Sequence, residues 1–180
     1  MANTTFDGPV RSRNGFQSIG PGAVQANTFA TNMTVATNAG RLMLMDPAGT
    51  PTAITLPSII STGGSNNAGP GRDPNNPNTI GTTFEILFTD EYTGTIQTAN
   101  TADKFTGSVT IGINNGDYKA FVPGIANNEL NLNGEAGANV ATTGGLVGSR
   151  IKFTAVAANL YMVEGLLIGS GTIATPFATQ

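Results

Sequence analysis

The stretch from Lys104 to Ile113 alternates along its length. Phe105, Val109, Ile111 and Ile113 fall on one side, and Thr106, Ser108, Thr110 and Gly112 on the other. Thr83 to Asp90 repeats the pattern, with Phe84, Ile86 and Phe88 opposite Thr83, Glu85 and Thr89. A period of two puts one face of a sheet against a core, whereas a helix needs apolar residues every third or fourth position. No segment of helical length carries that longer period, so the chain reads as all-β.

The remaining strands are bounded by turn chemistry. Arg41 to Met45 is a short apolar strand followed by the turn Asp46-Pro47-Ala48-Gly49, and Ala53 to Leu56 is stopped by Pro57. Asn114-Asn115-Gly116-Asp117 turns Lys104–Ile113 into Tyr118 to Val122, and Asn133-Gly134 is a second such turn after Glu129 to Leu132. Ser149 to Val156 and Leu160 to Ile168, broken at Ala157-Ala158-Asn159, read as a last hairpin with Ile151, Phe153, Tyr161 and Val163 in the core. Ser61 to Thr79 is a long polar loop of Gly, Asn, Pro and Ser. The expected fold is an antiparallel β-sandwich or small barrel, a jelly roll included, spanning 41–180 behind an extended N-terminal arm, 1–40. Strand order and register need long-range pairings that local pattern does not carry.

Composition narrows the function. The 180 residues include no His and no Cys, which removes Ser-His-Asp and Cys-His triads, thiol nucleophiles, disulfides and cysteine zinc sites. Eight basic residues against eleven acidic ones, and no Trp, make a poor footprint for nucleic acid. No apolar run approaches the roughly 20 residues of a membrane span, and the first residues lack a secretory pattern. Synthesis in a cytoplasm without processing is expected. No enzymatic activity and no cofactor are expected, nor a nucleic-acid or membrane partner.

Three motifs have plainer readings. Glu129, Asn131, Asn133 and Gly134 match the ligand spacing of a calcium loop, but the closing acid's position is Val140 and no helices flank it. Asp73 in the long loop is a single carboxylate between prolines and makes a weak cation site. Asp90 and Glu91 are the adjacent acids best suited to acid/base work. Yet sequence neighbours point apart, whereas such a pair must flank a bond at about 5 to 9 Å, so a solvated turn explains them better. The Asn-x-Thr sequons at Asn3 and Asn32 are idle without a secretory route.

Met1 to about Gly22 has turn signals and scattered apolar residues without period. It reads either as a tail or as an arm that orders against a partner. In the second case Phe6, Val10 and Phe16 are the candidate apolar contacts, and Arg11 and Arg13 the polar ones.

Four segments in order carry a resemblance: FDGPVRSRNGF, NAGRLMLMDPAGTPTAITLPS, GTTFEILFTDEYTGTIQTANTADKFTGSV and GSRIKFTAVAANLYMVEG, together about half of the chain. The chain resembles small structural proteins of tailed bacteriophages, the capsid decoration (cement) or head-fibre proteins, which often carry Trp where this chain has Tyr161. The resemblance implies a virion protein on the outer capsid surface, without enzymatic activity, that binds the major capsid protein. A homo-oligomer is expected, a trimeric ring before a dimer, because capsids present symmetric positions. The alternative is a fibre tip or adhesin module that binds a host-surface glycan through polar loops.

Overall fold

The computed structural model describes residues 24–26, 32–45, 53–61, 79–113, 116–134 and 140–180. The strands are β1 (Val24–Ala26), β2 (Leu42–Met45), β3 (Ala53–Leu56), β4 (Thr83–Phe88), β5 (Thr93–Thr98), β6 (Lys104–Ile113), β7 (Tyr118–Phe121), β8 (Glu129–Asn133), β9 (Arg150–Ala157), β10 (Leu160–Gly169) and β11 (Phe177–Ala178). A single helical turn, α1 (Val35–Asn38), precedes β2. The all-β class is as the alternation predicts.

Two sheets face each other. Among the described residues the larger has seven strands in the order β1-β2-β4-β9-β10-β6-β7, and the smaller has four in the order β11-β8-β5-β3. Neither closes into a barrel. The pairing is also mixed rather than wholly antiparallel: β1–β2, β2–β4, β3–β5 and β6–β10 run parallel. The cause is the path of the chain. From β2 to β6 each successive strand lands in the opposite sheet, so β2 meets β4, and β3 meets β5, after two reversals of direction. Within the span read as arm, Val24–Ala26 pair with β2, Met33 is buried, and the Met33 N–H donates to the Thr55 carbonyl at 2.8 Å. Among the described residues the sheet therefore begins at Val24, inside that span.

The inner faces interlock into one core. The seven-stranded sheet supplies Phe84, Ile86, Phe88, Ile151, Phe153 and Val163 among others, and the four-stranded sheet supplies Ile54, Leu56, Ile96 and Leu130, all wholly or almost wholly buried. Each such side chain contributes about 1.5–3 kcal/mol through removal from water. Aromatic pairs reinforce it: Phe88 stacks on Tyr92 at 5.2 Å, and Phe105 lies 5.5 Å from Phe153. Two phenol groups are buried with the rings. Tyr161 Oη donates to the Pro57 carbonyl at 2.7 Å and Tyr92 Oη to the Thr95 carbonyl at 3.0 Å. Burial pushes both tyrosines well above their ordinary titration range, and for Tyr161 the charge of Asp103 adds to the effect.

Both expected hairpins that flank the longest strands form. β6 pairs antiparallel with β7, and β9 with β10 through a tight turn in which Asn159 takes φ 57°. Asn133-Gly134 differs from expectation. It ends β8, whose partners are β5 and β11, and the Asn133 side chain is tied to Val140, Thr142 and Thr143 instead. Gly107 is mandatory in β6: it takes φ +97°, and a Cβ there would lie 2.3 Å from the Val163 carbonyl oxygen.

Candidate interaction surfaces

The outward face of the large sheet is built by register. Paired residues share a face, so the inward set Met43, Ile86, Ile151 and Gly165 fixes its neighbours outward. Leu44, Leu87, Arg150, Leu166, Thr110 and Ala120 form one row across six strands. The next row runs Leu42, Glu85, Lys152, Glu164 and Ser108. Acid, base and acid thus lie side by side. Lys152 Nζ donates to Glu164 Oε1 at 2.9 Å, and Arg150 pairs diagonally with Glu85. Half-exposed pairs of this kind add little stability, typically under about 1 kcal/mol each. A shallow groove crosses this face, lined by Leu87, Gly148, Leu166 and the four charged residues.

A second surface lies at the β7 edge. Its strand is short, its burial pattern is almost entirely exposed, and Tyr118 is 78% and Val122 72% accessible. The chain then makes a turn in which Ile125 is 98% accessible. That turn is held: the Gly124 N–H donates to Asn127 Oδ1 at 2.6 Å, and the Asn127 N–H donates back to the Gly124 carbonyl at 2.9 Å. Asn127 Nδ2 also reaches Thr179 Oγ1 at 3.3 Å. A β-branched apolar side chain is therefore presented to water on a turn fixed by hydrogen bonds. Lys119 Nζ lies 5.1 Å above the Phe121 ring and covers part of the edge.

The candidate arm contacts Phe6, Val10, Arg11, Arg13 and Phe16 lie outside the described residues, ahead of β1, as does Asp73. Asp90 and Glu91 are exposed in the turn between β4 and β5, where Asp90 Oδ1 accepts from the Glu91 N–H at 2.8 Å. Glu129, Asn131 and Asn133 lie in strand β8 and not in a ligand loop. Among the described residues no group of three or more acids is placed to hold a metal, and no helix is long and apolar enough to cross a membrane. Asp103 is wholly buried, and its Oδ2 accepts from the Ile59 N–H at 3.2 Å and from Asn100 Nδ2 at 2.9 Å. This knot clamps the stretch after β3 to the turn before β6.

Sequence reading alone did not single out Tyr118, Val122 and Ile125. The signal was present: Val122-Pro123-Gly124-Ile125 places two aliphatic residues around a Pro-Gly turn, where polar residues are usual. No family model, curated protein or solved structure matches the chain.

Proposed function

We propose that the protein is a structural component of a tailed-phage head, a decoration protein that binds the outer face of the assembled capsid through the major capsid protein and stabilises it. The observation that carries this reading is the held turn bearing Ile125, with Val122 beside it. An aliphatic side chain left in water forgoes about 1.5–3 kcal/mol that burial would return. Fixing it beforehand also lowers the ordering cost of docking. Such a knob suits a shallow apolar pocket on a large, regular surface. The resemblance of the four segments supports a phage head as that surface, and the low charge of the chain suits close packing against neighbours.

A second reading has one observation in its favour. Tyr118 is an exposed aromatic ring, the platform that a glycan-binding fibre or adhesin module needs. One experiment separates the two. The purified protein is incubated with expanded heads that lack it and, separately, with a glycan panel. Saturable co-sedimentation with heads, weakened tenfold or more by Ile125→Asp and unchanged by Tyr118→Ala, is expected. Glycan binding abolished by Tyr118→Ala, with no binding to heads, would replace the capsid reading with the adhesin one.

A further inference from the structure

We infer that the outward face of the large sheet is the contact surface for a second copy of this chain, packed sheet against sheet about a twofold axis. This does not depend on the capsid reading. A sheet face turned to water is normally polar at most positions. Here Leu42, Leu44, Leu87, Met162, Leu166 and Ile168 all lie on the outward side, between threonines and the ion-paired row. Leu166, at its centre, is 52% exposed.

The charges identify the occupant. Two acids and two bases meet at the middle of this face, so that cluster is neutral and complementary to itself, while Lys104 lies outward at the start of β6. Glu164 and Arg150 are its most accessible charged groups, at 53% and 62% of their side chains. They sit on adjacent strands one row apart, because Arg150 pairs with Leu166 and Lys152 with Glu164. A twofold axis in the plane of the interface, midway between them, lays each Arg150 over the other copy's Glu164. The same operation brings Leu166 of the two copies together near the axis, which passes on between Lys152 and its copy, with Glu85 of each copy beside the other's Lys152. In a twofold contact each residue pair occurs twice, which suits a patch carrying both halves of its own complement. The size also fits. Seven strands about 4.8 Å apart and about 20 Å long give about 600 Å² of flat face, near the roughly 800 Å² per partner of a stable interface once side-chain relief is added. The inferred pair is twofold, whereas capsid symmetry led to the expectation of a threefold ring.

The test uses the full chain in a concentration series by sedimentation equilibrium, with circular dichroism to verify folding. The wild type should reach a dimer. Arg150→Glu and Glu164→Arg should each weaken self-association tenfold or more, since like charges then face each other twice. Mixed in equal amounts, the two variants should recover wild-type affinity as a heterodimer: one contact is reversed in both partners and the other is native in both. Leu166→Arg, on an exposed position, should remain folded and monomeric. A wild type that stays monomeric at millimolar concentration overturns the inference. So do single variants that dimerise as well as wild type, or a mixture that recovers nothing.

Discussion

Tyr161 closes the core and fastens a loop with the same side chain. Its ring meets Phe84 edge-on at 6.4 Å while its hydroxyl holds the Pro57 carbonyl. Tyr161→Phe keeps the ring and leaves that carbonyl without its donor, so a loss of about 1–2 kcal/mol in urea unfolding is expected. The raised titration of Tyr161 and Tyr92 also sets a pH dependence. An unfolded tyrosine loses its proton near pH 10, whereas the folded protein still holds it there. Stability is therefore complete below about pH 10 and falls above it, by about 1.4 kcal/mol per pH unit for each such tyrosine. Unfolding measured from pH 9 to 12 should show the fall set in near pH 10 and steepen to this slope above about pH 11, and Tyr161→Phe should remove about half of it. An unchanged slope would mean that other groups govern alkaline unfolding. Gly107→Ala is a harsher change. A methyl 2.3 Å from a backbone oxygen, at a φ that L-residues avoid, should destabilise the fold by about 3–5 kcal/mol, readable as a lowered denaturant midpoint.

At the scale of the element, the chain ahead of β1 and the turn after β7 carry the predictions on binding. Deleting residues 1–22 leaves β1 and all of the buried core residues from Met33 onward in place. The melting temperature should then stay nearly unchanged, while on the proposed capsid reading binding to heads weakens tenfold or more, about 1.4 kcal/mol. A truncated protein that fails to fold would make those residues part of the core, and one that still saturates capsids would make them a tail. Ile125→Ser should alter stability by less than about 0.5 kcal/mol, because the side chain touches almost nothing, and should act only on head binding. The sequence displays some elements and hides others for physical reasons. β4, β6, β9 and β10 each bury one face and expose the other, so their period is visible. β5, Thr-Gly-Thr-Ile-Gln-Thr, offers a single large apolar residue, and β11 is two residues long; both owe their strand state to partners. Parallel neighbours were hidden because crossing between sheets is a property of the whole path. Ile125 was visible as a residue, but its exposure depends on how Asn127 closes the turn.

For the whole molecule, long-range pairing governs assembly. The ladder between β6 and β10 joins Lys104 to Leu160 and continues in register to Ile113 and Gly169. Such non-local closure costs entropy before contacts return it, so refolding should fall in the millisecond-to-second range. Stopped-flow circular dichroism measures this directly, and a microsecond phase carrying the full amplitude would contradict it. The same ladder has a mechanical meaning. Two long strands that run the same way act as a lap joint when the start of one and the end of the other are pulled: every hydrogen bond carries load at once. Pulled from the same end, they peel bond by bond. The chain contains no cysteine, so handles can be placed at will. Cysteines at Thr101 and Thr172 load the joint in shear, while Thr101 and Ala158 peel it. Rupture force should be several times greater in the first geometry, giving the molecule a strong axis and a weak one.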